Sequence, residues 1–327
     1  MGAHTHEHAH QHDKPAPADG TAPANGHSHG HGHSHGHTHD GIDWTTQIAN
    51  LRREDAMAAT TQAGIAERLI GLLPDTGELP TILDIGAGAG GQSAAFARAL
   101  AAHGGGRLVI ADAVPELIDA ARTVAEAARG GDDRVIIETV QVDAADDAAV
   151  GAVPPADLVW ASRMVHHLPD QQAGTDRLAR LVRPGGWLAL AEGGLTTRCL
   201  PWDLGIGAPG LQDRLAAARE AGFGRMRSEI TGAVRMPYGW GTALAHAGLS
   251  EVGSFSILTD HPAPAGLEVR AGAVSWLEAL RGHIDEQITA EDRATIDALL
   301  DPAADSFIAT RNDVFMLGAT TVHLGRR

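Results

Sequence analysis

The sequence predicts a doubly wound α/β fold, in which helices cover both faces of a parallel sheet. Short apolar runs alternate with helical segments between residues 81 and 194. A glycine-rich loop at residues 86–91 joins the first of these runs to the helix that follows it. The chain has 327 residues, of which 43% are hydrophobic, so it can bury a large core.

Residues 1–40 are of low complexity, and we predict that this tail is disordered. It holds two clusters of histidines at alternate positions, separated by a stretch of Pro, Ala and Gly, and it has too few apolar residues for a core. Such histidines can chelate divalent transition metals, although low-complexity sequence without that role has the same composition. The candidate ligands in the second cluster are His27, His29, His31, His33, His35, His37 and His39.

A helical N-terminal lid is predicted for residues 41–80. Apolar residues recur at helical spacings from Ile42 to Leu73. The stretch of residues 74–80 contains two prolines and a glycine, which end the helix.

The next region, residues 81–194, is predicted to be the nucleotide-binding core. Pro115 stands at the first turn of a predicted helix, where a proline costs no hydrogen bond. Asp170 is a suitable N-cap for the helix that begins at Gln171. The predicted elements are, in order, a strand at Thr81–Ile85, a helix at Gln92–Ala102, a strand at Arg107–Ala111, a helix at Pro115–Ala128, a strand at Val135–Val142, a strand at Asp157–Trp160, a helix at Gln171–Val182 and a strand at Trp187–Ala191.

Residues 195–327 are predicted to add substrate-side insertions and the last two strands of the sheet. Glycine at position 248 is a normal stop for the helix before it. The predicted elements are a helix at Leu211–Ala221, a helix at Gly239–Ala247, a strand at Val252–Leu258, a helical insert at Leu267–Leu300 and a strand at Val314–Val322.

The glycine loop is the first candidate ligand site. Glycines allow a sharp turn and a close approach of the backbone to a ligand, and the following helix offers free N–H groups at its N-terminus. Gly86, Gly88 and Gly91 also satisfy the dinucleotide pattern G-x-G-x-x-G. Asp84, however, stands two residues before the first glycine, where its charge repels a pyrophosphate and attracts an ammonium or sulfonium group.

At this point the chain resembles the class I S-adenosylmethionine-dependent methyltransferases. Their hallmark is an acidic residue, a hydrophobic position and the pattern G-x-G-x-G, filled here by Asp84, Ile85, Gly86, Gly88 and Gly90. The resemblance implies S-adenosyl-L-methionine as the cofactor. It also implies a seven-stranded sheet of order 3-2-1-4-5-7-6 whose last strand is antiparallel.

Further cofactor residues follow from the same resemblance. Asp112 closes the second strand, where the family binds both ribose hydroxyls, and a carboxylate suits such a diol. Asp143 stands where the family accepts a hydrogen bond from the adenine amino group. Ser162 lies in a segment that resembles quinone-biosynthesis methyltransferases after their fourth strand. The alternatives are that Asp112 is a solvated strand-end acid and Asp143 a loop residue without a ligand.

Two histidines, His166 and His167, follow the fourth strand beside the expected position of the transferred methyl group. A near-neutral imidazole can take a proton from the acceptor, and His167 is slightly favoured as this base. The alternative is that one ring packs below the helix and the other shapes the pocket. Arg163 either anchors an anionic substrate group or pairs with a surface acid.

The few aromatic residues are candidate walls of a substrate pocket. Trp44 precedes the lid helix, and Trp202, Tyr238, Trp240 and Trp276 lie in the later insertions. In open α/β sheets such insertions cover the carboxyl ends of the strands, where ligands bind. Packing within the insertions is the alternative.

Together these features predict methyl transfer from S-adenosylmethionine to an O, N or C atom of a small organic molecule. The alternatives are an NAD-dependent oxidoreductase and a non-enzymatic metal-handling protein whose α/β domain senses the cofactor. The net charge of −16 argues against a nucleic-acid partner, and no apolar stretch is long enough for a membrane span. A single cysteine, Cys199, fits a cytoplasmic protein.

Overall fold

The computed structural model describes residues 43–74, 77–284 and 287–327. The predicted histidine-rich tail, with its candidate metal ligands, lies outside the described residues. The elements reported below therefore belong to the lid, the core and the insertions.

The sheet has seven strands in the order β3-β2-β1-β4-β5-β7-β6. The strands are β1 (Thr81–Ile85), β2 (Gly106–Asp112), β3 (Val135–Gln141), β4 (Ala156–Ser162), β5 (Val182–Arg198), β6 (Ser250–His261) and β7 (Met316–Arg326). The first five strands run parallel, and β7 lies antiparallel between β5 and β6. The predicted fold class, strand order and antiparallel last strand are confirmed.

Helices cover both faces of this sheet. They are α1 (Trp44–Ile70), α2 (Gly91–Ala102), α3 (Pro115–Ala128), α4 (Ala149–Ala152), α5 (Gln171–Leu181), α6 (Leu211–Glu229), α7 (Trp240–His246), α8 (Leu267–Ile284) and α9 (Ala290–Leu300). Every residue of β1 is buried, as expected for a central strand with helices on both sides. Asp170 caps α5 by accepting the backbone N–H of Ala173, as predicted.

Two hydrophobic clusters make up the core of the sheet domain. One contains Phe96 of α2 and Trp160 of β4, whose rings meet edge to face with centroids 5.9 Å apart. Ile65 and Leu69, near the end of α1, belong to the same cluster and are almost fully buried. The end of the predicted lid helix is therefore a core element.

A third hydrophobic cluster joins α6, α8 and α9, and we call these three helices the cap. Leu215, Leu277 and Ile296 are buried in it, one from each helix. Cys199 and Leu200, which directly follow β5, belong to the same cluster. The cap therefore adjoins the carboxyl end of β5, at the edge of the sheet where open α/β folds bind ligands.

Several predicted boundaries are wrong. β6 spans Ser250–His261 rather than Val252–Leu258, and β7 spans Met316–Arg326 rather than Val314–Val322. β5 continues beyond Ala191 to Arg198, because β7 still pairs with it there, after the register shifts at two points. The helix predicted to end at Ala221 continues to Glu229 despite two glycines, each of which costs only about 1 kcal/mol in a helix. The single insert predicted at Leu267–Leu300 is two helices, the second capped by the Thr289 hydroxyl.

Within the described ranges, no helix is long and apolar enough to cross a membrane.

Candidate active site

The glycine loop lies at the carboxyl edge of the sheet, between β1 and α2. The backbone N–H of Gly86 donates to the Ala111 carbonyl at 2.8 Å, which ties the loop to the end of β2. Gly90 has a φ of 90°, and a Cβ atom there would lie 2.3 Å from the Cα of Ala121 on α3. The third glycine of the motif is therefore required by close packing of the loop against α3.

Asp112, the predicted ribose ligand, is buried at the end of β2 and faces the same loop. One carboxylate oxygen accepts the backbone N–H of Gly88 at 3.1 Å, and the other accepts that of Val114 at 3.1 Å. A carboxylate oxygen has two lone pairs and can accept more than one hydrogen bond. This places Asp112 beside the second glycine of the motif.

Asp84 is almost fully buried, at 2% exposure, and accepts a hydrogen bond from the Ser93 hydroxyl at 2.5 Å. Burial, together with the nearby charges of Asp112 and Asp55, raises the pKa of Asp84 to about 7. The Ser93 hydrogen bond opposes these effects. Asp84 therefore changes its charge near neutral pH in the ligand-free chain.

Asp55, on α1, was missed by the sequence reasoning. It accepts the backbone N–H of Gly91 at 3.1 Å, at the N-terminus of α2, and the side-chain amide of Gln62 at 2.7 Å. Burial raises the pKa of Asp55, and the hydrogen bonds from Gln62 and Gly91 oppose this rise. A Cβ atom on Gly91 would lie 2.3 Å from the Asp55 Cγ atom, so α1 reaches the loop because residue 91 is glycine.

The other two predicted cofactor residues lie at strand ends of the same edge. Asp143 follows β3 and is half-buried, and it accepts the backbone N–H of Ala145 at 2.8 Å. Ser162 is the last residue of β4 and pairs with Ala191 of β5. The carboxyl ends of neighbouring parallel strands thus bring both residues to the edge that carries the glycine loop.

His166 is oriented by a buried carboxylate. Its Nδ1 atom lies 2.6 Å from Oε2 of Glu192, which follows the parallel part of β5 and is 1% exposed. The other oxygen of Glu192 accepts the backbone N–H groups of Met164 at 3.1 Å and Val165 at 2.8 Å. Glu192 therefore fixes both the imidazole and the turn that carries it. The sequence reasoning missed this residue.

The cap contacts the same turn from the other side. Phe223 of α6 packs edge to face on the His166 ring, with centroids 5.6 Å apart. Arg227, one turn further along α6, donates to the carbonyl oxygens of His166 at 3.0 Å and Leu168 at 2.6 Å. The exposed His167 ring contacts the His166 ring at a tilt of 42°, with centroids 4.1 Å apart. Both predicted histidines are thus together, and the cap helix is anchored beside them.

Arg163 stands at the end of β4 with a φ of 50°, in the left-handed region. Its guanidinium lies 3.2 Å from the Glu54 carboxylate, and both side chains are more than half exposed. This pairing with a surface acid is one of the two roles considered for Arg163 from the sequence. It also links the turn after β4 to α1.

The aromatic residues proposed as pocket walls do not form one group. Trp44 begins α1, and Trp202 is 70% exposed after β5. Tyr238 donates a hydrogen bond to Gln172 of α5 at 3.0 Å, and Trp240 packs against the core cluster on that side. Trp276 of α8 packs in the cap.

The residues around the glycine loop fit a cationic nucleoside. Three carboxylates, of Asp55, Asp84 and Asp112, lie near the loop, and the charges of Asp55 and Asp112 both act on Asp84. Such a concentration of negative charge favours an ammonium or sulfonium ligand and disfavours a diphosphate. S-adenosylmethionine carries both cations and a vicinal diol. Among the described residues, no group of three or more His, Cys, Asp and Glu is placed to hold a metal ion.

Comparison with known proteins finds similarity to methyltransferases in the central segment. A family profile described as a methyltransferase domain matches residues 83–188, which run from β1 into β5. The ubiquinone biosynthesis O-methyltransferase of Xylella fastidiosa is 33% identical over 107 residues, which are 33% of this chain and 39% of that protein.

A second curated relative extends the similarity. The 27-O-demethylrifamycin SV methyltransferase of Amycolatopsis mediterranei is 33% identical over 152 residues, 46% of this chain and 48% of that protein. The chain thus spans less than half the length of either relative. Among solved structures, phosphoethanolamine N-methyltransferase 2 of Haemonchus contortus, in complex with S-adenosyl-L-methionine, has a TM-score of 0.39 at 15% identity, covering 81% of this chain and 52% of that one.

Proposed function

We propose that this chain, in which residues 83–188 match a methyltransferase domain profile, transfers a methyl group from S-adenosylmethionine to a small organic acceptor. The observation that carries the proposal is the group of three carboxylates around the glycine loop. A diphosphate cofactor meets repulsion there, whereas a cationic amino-acid nucleoside meets attraction.

The proposed roles of the cofactor residues follow from their positions. Asp112 accepts hydrogen bonds from the ribose hydroxyls, and Asp143 accepts one from the adenine amino group. The three motif glycines let the loop approach the cofactor, and Ser162 borders it at the end of β4. Asp84 and Asp55 stabilise the positive charge. When bound, S-adenosylmethionine supplies an electrophilic methyl group on a positively charged sulfur.

We assign His166 as the base that receives the proton of the acceptor. If its Nδ1 carries the hydrogen, Nδ1–H donates to Glu192 at 2.6 Å and Nε2 is left with a free lone pair. The carboxylate then stabilises the imidazolium formed when Nε2 takes the proton. This reverses the preference for His167 that was inferred from the sequence, and the reason is the contact with Glu192.

The first acceptor group to test is a hydroxyl. The two curated relatives are named for O-methylation, one in ubiquinone biosynthesis and one on a rifamycin. Arg163, Trp44, Trp202, Tyr238 and Trp240 are retained as candidate substrate contacts. The acidic body makes nucleic acid an unsuitable partner, because the net charge of the chain is −16.

The cofactor assignment is tested by binding of tritiated S-adenosylmethionine to the full chain. We expect S-adenosylhomocysteine to displace the label and NADH to leave it bound. Displacement by NADH, or absence of saturable binding, would contradict the proposal and favour an NAD-dependent oxidoreductase. Comparison of small molecules in a deletion strain and its parent then identifies the acceptor, which should accumulate without its methyl group.

We also propose that the histidine-rich tail binds a divalent transition metal independently of methyl transfer. The support is the recurrence of histidine at every second position from His27 to His39. A chain lacking residues 1–40 should lose tight Zn²⁺ binding and keep its affinity for S-adenosylmethionine. If all cellular function survives this deletion, a primary role in metal handling is wrong.

We further propose a cytoplasmic location. The one cysteine, Cys199, is buried, and burial raises the pKa of its thiol to about 12. A protein with no disulfide is stable in a reducing compartment. Fractionation of cells that express the full chain tests this location directly.

A further inference from the structure

A cavity of about 270 Å³ lies where the cap meets the extended end of β5. It is partly open to solvent and is lined by residues of β5, β7, α6 and α8. The residues that define it are Leu195, Gln212, Ala216, Trp276, Leu280 and Leu317. The cavity is on the carboxyl side of β5, as is the candidate active site.

The buried polar side chain of the cavity is already satisfied by the protein. Oε1 of Gln212 accepts the backbone N–H groups of Cys199 and Leu200, both at 3.1 Å. Its Nε2 atom donates to the Thr197 carbonyl at 2.9 Å. Gln212 thus closes the end of β5 and has little capacity left for a ligand.

The two arginines of the cavity are also engaged. Arg198 donates to the Asp213 carboxylate at 2.7 Å, and Arg219 donates to the Thr196 hydroxyl at 3.1 Å. What remains at the cavity surface is apolar. Leu195 is 63% exposed there, an unusual position for leucine unless something covers it.

One face of α6 connects this cavity with His166. Ala216, Arg219 and Phe223 recur at spacings of three and four, so they share a helix face. Ala216 and Arg219 line the cavity, and Phe223 packs on the His166 ring. Arg219 and Phe223 are four residues apart, which is about 6 Å along an α-helix, so the cavity lining begins about one helical turn from the residue that contacts the proposed base.

We infer that this cavity binds the apolar body of the methyl acceptor. The acceptor is then an elongated molecule with an aromatic or polycyclic body, whose nucleophilic group reaches His166. An engineered cavity of about 150 Å³ holds benzene, so one of 270 Å³ suits two fused rings. The inference rests on the proposed function, because it extends the acceptor side of the same site.

The test uses the full chain and N-phenyl-1-naphthylamine, a neutral two-ring probe whose fluorescence rises in apolar surroundings. We expect one probe to bind per chain, with or without saturating S-adenosylmethionine, because the cavity is separate from the glycine loop. Ala216→Trp fills the cavity and should weaken probe binding at least tenfold. Ala217→Trp, at the exposed neighbouring position of the same helix, is the matched control and should bind the probe as the parent does.

A second pair of variants tests the mouth of the cavity without filling its interior. Leu195→Glu places a charge on an exposed apolar wall and should also weaken probe binding at least tenfold. Leu267→Glu changes an 83% exposed leucine outside the cavity lining and should have no effect.

The affinity for S-adenosylmethionine is measured in every sample, so the two proposals fail separately. Unchanged probe affinity in both Ala216→Trp and Leu195→Glu, or displacement of the probe by the cofactor, overturns the inference and leaves the proposed function intact. Absence of cofactor binding in the parent chain overturns the proposed function itself.

Discussion

The carboxylate of Glu192 lies 2.6 Å from Nδ1 of His166, and its other oxygen accepts two backbone N–H groups of the same turn. Glu192 is 1% exposed, so it is held almost out of contact with water. The Nδ1 side of the imidazole is thus held by a residue of β5, directly after the part of that strand that pairs with β4. Nε2, on the other side of the ring, is the atom that we propose receives the proton of the acceptor.

Glu192→Gln should lower kcat at least tenfold and leave the affinity for S-adenosylmethionine within a factor of two. The amide keeps an acceptor for the backbone but cannot stabilise the imidazolium as a carboxylate does, and general-base catalysis is worth about 10²–10⁴-fold. The measurement is methyl transfer from tritiated cofactor to the identified acceptor. Glu192→Asp, which keeps the charge, should recover part of kcat. Full activity of Glu192→Gln would show that Glu192 is structural only.

Gly91→Ala should weaken docking of α1 on the glycine loop. The added Cβ would lie 2.3 Å from the Asp55 Cγ atom, so either α1 or the loop must shift. We expect a lower Tm and weaker cofactor binding than in the parent chain. Gly224→Ala is the control, because no atom lies within 4 Å of a Cβ there and alanine favours a helix over glycine by about 1 kcal/mol.

The close contact between residue 91 and Asp55 can also be tested by combining two substitutions. Asp55→Ala removes the two atoms that lie nearest to the added Cβ, although the Asp55 Cβ remains at 2.7 Å. Gly91→Ala should therefore cost less stability in the Asp55→Ala background than in the parent. Strict additivity of the two changes would contradict the contact between these residues.

The sheet and the glycine loop were predictable because their signals are local. The bounds of β1 and α3 match the sequence prediction, since an apolar run before a glycine turn and a proline at a first helical turn need no distant partner. The extension of β5 was not predictable in this way. It depends on pairing with β7, more than 100 residues later in the chain.

The two site residues that were missed act across long sequence separations. Asp55 lies 36 residues before Gly91, and Glu192 lies 26 residues after His166. A signal for Glu192 was present, because an acid at the end of the fifth strand lies beside the end of the fourth in this strand order. Asp55 gave no comparable signal, since its helix carries acids on several faces.

Asp112→Ala should weaken binding of S-adenosylmethionine by about 1–3 kcal/mol, the range for loss of hydrogen bonds to a charged group. The change removes the proposed ribose acceptor and also the acceptor of the Gly88 N–H at 3.1 Å. Calorimetric titration measures the effect. Asp119→Ala, at an exposed acid on α3, is the control. Equal affinity in the two variants would show that the ribose is bound elsewhere.

Asp84 should make the stability of the ligand-free chain fall as the pH rises from about 4 to about 7. Its pKa in the folded chain is about 7, against an ordinary value of 3.8, so between these pH values the folded state holds a proton that the unfolded state has released. The stabilisation by this raised pKa is complete below pH 3.8 and is lost as the pH rises through about 7. The slope between them approaches about 1.4 kcal/mol per pH unit.

Asp84→Asn removes this titration while keeping an oxygen that can accept the Ser93 hydroxyl. The difference in the free energy of unfolding between parent and variant, measured by urea at several pH values, isolates the contribution of Asp84. We expect the parent to lose stability relative to Asp84→Asn as the pH rises from about 4 to about 7, the interval between the two pKa values of Asp84. S-adenosylmethionine should reverse the trend, because its cation binds best to the ionised carboxylate. A parent and variant with parallel stability profiles would mean that Asp84 stays ionised throughout, and that burial does not govern its charge.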